Sequence, residues 1–202
     1  MFAEMYGTID PIPEGRVRIM GDDEALDWNG RELRFLHTRG HANHHFCIHD
    51  PAGSGVFTGD AFGLVYPRLQ GKGLFALPST SPTDFDAAAA KASVDRIVAT
   101  GAETAYLTHC GGVKELSAVA KLLHPQLDRY GAIVEEAFAS DRDGAEIDAF
   151  CREQVDALFK DLLGAHGLES VETRMVLAMD INLNGQGIAA AVKKKRYKAS
   201  QG

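Results

Sequence analysis

The spacing of polar residues after three predicted strands constrains this chain most. His41 follows the predicted strand Arg31–Leu36 across a short turn. Asp60 follows Val56–Thr58 after a single glycine, and His109 follows the apolar segment that begins at Ala105. Strands of one sheet hold the residues just beyond their ends rigidly along one edge. His41, Asp60 and His109 are therefore expected to converge although they are far apart in sequence.

The donor groups of these three residues indicate a metal site. Imidazole and carboxylate are the donors that suit zinc and similar ions. Five of the eight histidines lie between positions 37 and 49, where the first of these donors is found. Gly59 permits an unusual backbone turn just before Asp60, which would let the carboxylate swing from the strand end into a site.

The rest of the chain predicts a mixed α/β (α+β) fold. Asn29-Gly30 predicts a hairpin, and residues 61–82 read as a long loop. Thr83 with Asp86 predicts the start of a helix that ends near Gly101. Further helical spacing runs from Lys114 and over residues 145–163 and 170–196, with a break expected at residues 184–187. Strands and helices mix up to about residue 140, so we predict domains at 1–140 and 141–202, the second a helical extension.

The segment from residue 25 to 112 resembles the metallo-β-lactamase superfamily, especially its glyoxalase II-like hydrolase branch. Thr38-Arg39-Gly40-His41-Ala42 is similar to that branch's threonine-proline-glycine-histidine-threonine segment. Phe57-Thr58-Gly59-Asp60 matches its phenylalanine-threonine-glycine-aspartate segment, and His109 follows a later strand, as in the family. Arg39 and Ala42 depart from the pattern, but the residues they replace supply no metal-binding atom.

The resemblance implies an αββα sandwich with two metal ions, zinc being expected and iron or manganese possible. It implies that His41 binds the first ion, His109 the second, and that Asp60 bridges them. The family's His-x-His-x-Asp-His motif, which supplies the other ligands, is absent from the chain. We therefore expect the chain to represent the C-terminal half of the sandwich and to have an incomplete site.

Several neighbouring residues are candidates for supporting roles. His45 is predicted to make hydrogen bonds rather than to bind metal, whereas His44 faces either the pocket or solvent. The hydroxyl of Thr58 is a candidate for orienting ligands. Tyr66 in the long loop either lines a substrate pocket or anchors the loop, and the same alternatives apply to Phe62 and Phe75.

Composition narrows the classes of partner. A net charge of -7 argues against nucleic acid, and the basic run Lys193–Arg196 reads as a helix end. No apolar stretch approaches the roughly 20 residues that span a bilayer, and three widely spaced cysteines predict reduced thiols in a cytoplasmic protein. The expected partner is a small-molecule substrate, and a homo-oligomer is possible.

The resemblance implies that the complete protein hydrolyses an ester, thioester, lactone, amide or phosphoester with a metal-activated water. Two alternatives remain: an iron-dependent sulfur or oxygen redox enzyme on the same fold, and a non-catalytic fragment that self-associates. The role of the helical extension also stays open between covering the domain, forming a dimer contact and capping the substrate pocket.

Overall fold

The structure, a computed structural model, describes residues 7–8, 10–80 and 84–201. Within these residues it contains a six-stranded sheet whose strands lie in chain order. Only β4 and β5 pair in parallel, and the chain between them includes the long loop and a helix. The strands are β1 (Ala25–Trp28), β2 (Arg31–His37), β3 (Phe46–Asp50), β4 (Gly55–Gly59), β5 (Thr104–Leu107) and β6 (Gly111–Val113).

The predicted hairpin forms at Asn29-Gly30, where both residues have positive φ and β1 pairs with β2. The sequence does not predict the last strand, because its Gly111-Gly112 pair is typical of a break after the strand that begins at Ala105. Instead β6 folds back on β5, with Tyr106 opposite Gly112. Gly111 makes this reversal possible, since its φ of 82° is unfavourable for a side-chain-bearing residue.

One face of the sheet carries the core. Leu36, Cys47, Val56 and Ala105 are buried on this face. They belong to one apolar cluster with residues of the helices that cover it. These helices are α1 (Ala87–Ala99) and α2 (Leu116–Ala139), which contact each other extensively. Asp86 caps α1 by accepting a hydrogen bond from the Ala89 N–H at 2.8 Å, while the predicted start at Thr83 lies outside the described residues.

The opposite face of the sheet carries apolar side chains that are exposed or half-buried among the described residues. Phe57 and Tyr106 lie opposite each other and stack with ring centroids 5.0 Å apart, yet 48% and 41% of their surfaces are exposed. The strand register places further apolar side chains on this face. We call it the open sheet face: Leu26, Trp28, Leu33, Phe35, Phe46, Ile48, Phe57 and Tyr106.

The chain after residue 140 is helical, as predicted. It forms α3 (Gly144–Ala165) and α4 (Val171–Ser200), and α4 packs against both α3 and α2. The predicted break at residues 184–187 is wrong, because α4 runs through it. Gly185 lets the two helices approach closely, since a Cβ there would lie 2.9 Å from the Arg152 Cα. The close contact thus explains the glycine inside the helix.

One continuous apolar core extends across residue 140, the predicted boundary between the two domains. Val119 and Tyr130 of α2 belong to the same buried cluster as Val155 of α3 and Ile188 of α4. The basic run lies inside α4, where Lys193, Lys194 and Lys195 each form an ion pair with an acidic side chain elsewhere. No helix in the described ranges has the length and apolar character needed to cross a membrane.

Candidate metal centre

His41 lies in the connection between β2 and β3, and helix α1 holds the backbone just before it. The Ser93 hydroxyl donates to the Arg39 carbonyl at 2.5 Å, and the Asp86 N–H donates to the Gly40 carbonyl at 2.9 Å. Gly40 has a φ of 116° and touches the backbone of α1 so closely that a Cβ would overlap with Ala90. The approach to His41 is therefore fixed by packing and hydrogen bonds rather than by the turn alone.

The His41 ring is oriented by a backbone carbonyl. Its Nδ1 lies 3.1 Å from the Ser79 carbonyl oxygen. A carbonyl only accepts, so this contact selects the tautomer in which Nδ1 carries the proton. The other nitrogen, Nε2, then has a free lone pair and lies 3.7 Å from Asp60 Oδ2. An N–H···O=C contact at one ring nitrogen is the usual partner of a metal bond at the other.

Asp60 is positioned by a turn that depends on Gly59 and His45. Gly59 has a φ of 52°, and a Cβ on it would lie within 3.0 Å of the His45 ring. The backbone N–H of Asp60 donates to His45 Nε2 at 3.2 Å. Because this nitrogen accepts the hydrogen bond, the His45 ring holds the Asp60 backbone in this turn.

The second ring nitrogen of His45 continues a buried chain of hydrogen bonds. His45 Nδ1 lies 2.8 Å from the Thr38 hydroxyl, which also lies 3.1 Å from Cys47 Sγ. Since Nε2 accepts, Nδ1 must carry the proton and the ring is neutral. Burial, with the neighbouring His41 as a second cause, lowers the pKa of His45 and favours this neutral form.

His109 follows β5 and reaches Asp60 from the other side. Its Nε2 lies 3.3 Å from Asp60 Oδ1, and 59% of its side chain is exposed. Asp60 Oδ1 is itself buried and receives no hydrogen bond from any residue that the structure describes. A buried carboxylate oxygen without a donor is costly, and a cation is one partner that would satisfy it.

The donor types of His41, Asp60 and His109 suit a divalent metal ion. Two donors bound to one tetrahedral zinc at about 2.0–2.1 Å would lie roughly 3.3–3.4 Å apart, close to the His109–Asp60 separation. Among the described residues, no group of three or more His, Cys, Asp or Glu side chains is arranged to hold a metal ion. His41 and His109 face different oxygens of Asp60, at 3.7 Å and 3.3 Å.

The other predicted neighbours lie in different places. Thr58 is buried, and its hydroxyl lies 3.3 Å from the carbonyl oxygens of both Gly59 and Tyr106, so it ties β4 to β5 rather than facing a ligand. His44 is exposed. Phe62 and Phe75 are fully buried and anchor the long loop.

Tyr66 contacts Asp180, a residue for which the sequence predicts no role. Its hydroxyl lies 3.1 Å and 3.2 Å from the two carboxylate oxygens of Asp180, which comes from α4. Burial raises the pKa of Asp180, and the hydrogen bond that the Tyr66 hydroxyl donates to its carboxylate opposes this effect. Helix α4 therefore contributes a carboxylate that contacts the long loop at Tyr66.

Comparison with known families identifies the superfamily to which the chain is similar. The model of the metallo-beta-lactamase superfamily matches residues 2–109, more than half of the chain. The chain belongs to the metallo-beta-lactamase superfamily. No curated protein matches it. The family match includes His41, Asp60 and His109, and membership confirms the resemblance drawn from the Phe57–Asp60 segment.

Two solved structures of metallo-beta-lactamase type share the fold. A metallo-beta-lactamase family protein from Thermus thermophilus is 18% identical, with a TM-score of 0.53. The match covers 95% of this chain and 50% of that one. A beta-lactamase domain protein from Burkholderia ambifaria is 15% identical, with a TM-score of 0.54, over 98% of this chain and 51% of that one. At such identities the likeness establishes the mixed α/β fold alone, and the chain spans about half the length of these structures.

Proposed function

We propose that this chain supplies one side of a two-metal centre in a hydrolase. The observation that carries the proposal is the Asp60 carboxylate, which lies between His41 Nε2 and His109 Nε2 with one oxygen towards each. The burial of Asp60 Oδ1 without a hydrogen-bond donor among the described residues supports the same assignment.

Each residue has a defined task in this proposal. His41 would bind through Nε2, since Nδ1 is engaged by Ser79, and Asp60 would bridge the two ions. His45 would keep the Asp60 backbone in place and remain neutral. Zinc suits this donor set, with iron and manganese as alternatives. When bound, such ions lower the pKa of a water molecule towards about 7 and polarise the bond under attack, which suits an ester, thioester, lactone, amide or phosphoester.

The number of donors sets an expectation for this chain on its own. Two protein donors per ion fall short of the three that are typical of catalytic zinc sites. We therefore expect weak metal binding and slow hydrolysis. A protein that also contains a His-x-His-x-Asp-His segment would have the complete set and should bind and hydrolyse better.

The test is metal binding by variants of this chain, measured by calorimetry and elemental analysis. Asp60→Ala should abolish zinc binding, whereas His45→Ala should weaken it about 10–100-fold. His124→Ala is the matched control, because it removes a histidine whose Nε2 lies 2.9 Å from Asp95 at another site. Equal binding by the Asp60→Ala and His124→Ala proteins would refute the assignment.

Turnover tests the catalytic part of the proposal. The chain and a longer protein with the His-x-His-x-Asp-His segment would be compared on a panel of esters, thioesters and lactones. Faster hydrolysis by the longer protein is expected. Two stoichiometric ions and equal turnover in the short chain would contradict the count of donors. A single tightly bound iron would favour the redox alternative.

A second candidate function rests on the open sheet face. Exposed aromatic side chains on a continuous sheet surface favour association, so the chain could act as a self-associating protein without catalysis. Sedimentation together with the absence of metal binding would support this candidate.

A further inference from the structure

Helix α4 contacts the segment that orients His41. The contact is made by Asn184, which is 2% exposed, and Thr80, which is 5% exposed. Asn184 Oδ1 accepts a hydrogen bond from the Thr80 N–H at 3.0 Å. In return the Thr80 hydroxyl donates to the backbone carbonyls of Leu183 and Asn184, each at 3.3 Å.

The Asn184 side chain is itself fixed within the helix. Its Nδ2 donates to the Asp180 carbonyl at 2.9 Å, so both ends of the amide have partners. This also assigns the orientation of the amide, because only the nitrogen donates and only the oxygen accepts. With these hydrogen bonds formed, the buried Asn184 amide has one preferred position, and it holds the Thr80 backbone in place.

The fixed Thr80 determines where the preceding carbonyl lies. Ser79 is bonded directly to Thr80, and its carbonyl oxygen is the partner of His41 Nδ1. The peptide group between Ser79 and Thr80 carries both contacts, since its N–H meets Asn184 and its C=O meets His41. A peptide group is planar, so the hydrogen bond on one side constrains the direction of the carbonyl on the other.

We infer that Asn184 and Thr80 are positioning residues which, through the Ser79–Thr80 peptide, fix the orientation and tautomer of His41. The role of His41 as a metal ligand rests on the proposed function, whereas the hydrogen bonds that orient its ring are formed in the protein without metal. It gives helix α4 a specific role: it holds a ligand of the candidate centre in the form that leaves Nε2 free.

The experiment measures the His41 tautomer in the metal-free chain by ¹⁵N NMR of the imidazole nitrogens. In the unchanged chain Nδ1 should carry the proton. Asn184→Ala and Thr80→Val should shift His41 towards the tautomer protonated at Nε2, and should weaken zinc binding about 10–100-fold. Thr80→Ser keeps the hydroxyl and should restore the behaviour of the unchanged chain.

Val192→Ala provides the control for stability alone. Val192 is a fully buried residue of α4, and its truncation should destabilise the helix without altering the His41 tautomer. An unchanged tautomer in both Asn184→Ala and Thr80→Val would overturn the inference, as would an equal shift in Val192→Ala. If the tautomer shifts as expected but even His41→Ala leaves zinc binding intact, the positioning holds and the proposed metal centre is wrong.

Discussion

Gly59→Ala adds one methyl group and tests whether the contact between Gly59 and the His45 ring determines the turn that positions Asp60. Its φ of 52° is unfavourable for alanine, and a Cβ would also press on the His45 ring that accepts the Asp60 N–H. Gly59→Ala should therefore disturb the backbone and the His45–Asp60 hydrogen bond together. Gly30→Ala isolates the backbone effect, because Gly30 has a φ of 82° and nothing within 4 Å of an added Cβ.

The two effects can be added to give a magnitude. A left-handed backbone costs an alanine about 1–2 kcal/mol. Displacement of the His45 ring removes a hydrogen bond and leaves a half-buried N–H without a partner, which costs about 1–3 kcal/mol. Gly59→Ala should lower the free energy of unfolding by about 2–5 kcal/mol, whereas Gly30→Ala should lower it by only about 1–2 kcal/mol.

Urea denaturation in the absence of metal measures both values, and a double-mutant cycle separates them. In a His45→Ala background the ring is gone, so Gly59→Ala should cost only the backbone term of about 1–2 kcal/mol. If Gly59→Ala costs the same with and without the His45 ring, or no more than Gly30→Ala, the contact between Gly59 and His45 does not determine this turn.

Three further predictions concern stability and association. Arg196→Met should lower the free energy of unfolding, measured by urea denaturation, by about 2–3 kcal/mol. The reason is that the Arg196 guanidinium donates to the carbonyls of Ala137 and Ser140 at the end of α2, at 2.7 Å and 2.5 Å. The control Lys193→Met removes an exposed ion pair and should lower that free energy by less than about 1 kcal/mol. The Arg31 guanidinium holds the pKa of Asp50 below its usual value, so the ion pair stabilises the fold above the unfolded-state pKa of Asp50 and this stabilisation is lost as the pH falls through the folded-state pKa. Below a pH of about 4, the free energy of unfolding of the Asp50→Asn protein should therefore fall less steeply with decreasing pH than that of the unchanged chain. Equal slopes of the two free energies against pH would contradict the pairing. Phe57→Lys should reduce concentration-dependent association in sedimentation experiments, because Phe57 lies on the open sheet face. The control Met175→Lys, on the exposed side of α4, should leave the association unchanged. Equal association of the two variants would exclude the open sheet face as the surface through which the chains associate.

Most of the sheet and helices were predictable because their signals are local. Asn29-Gly30 determines a hairpin by its own backbone preferences, and the apolar spacing of α2 requires no partner to be recognised. β6 was not predictable, because its Gly111-Gly112 pair has no strand preference and the strand forms only where β5 offers an edge. The continuity of α4 through Gly185 likewise depends on the closeness of Arg152, a contact that no local pattern contains.

The candidate site was predictable in its donors but not in the groups that orient them. His41, Asp60 and His109 follow strand ends, so the sequence indicates that they converge at one edge of the sheet. Asp180 and Asn184 come from α4, and their partners depend on how that helix packs. A signal for Asn184 was nevertheless present: Leu177, Ile181 and Ile188 are all buried, and their spacing places Asn184 on the same stripe. A polar side chain on an apolar stripe must find hydrogen-bond partners when it is buried. The sequence therefore indicates that α4 has a polar contact in the interior, and only the packing identifies Thr80 as its partner.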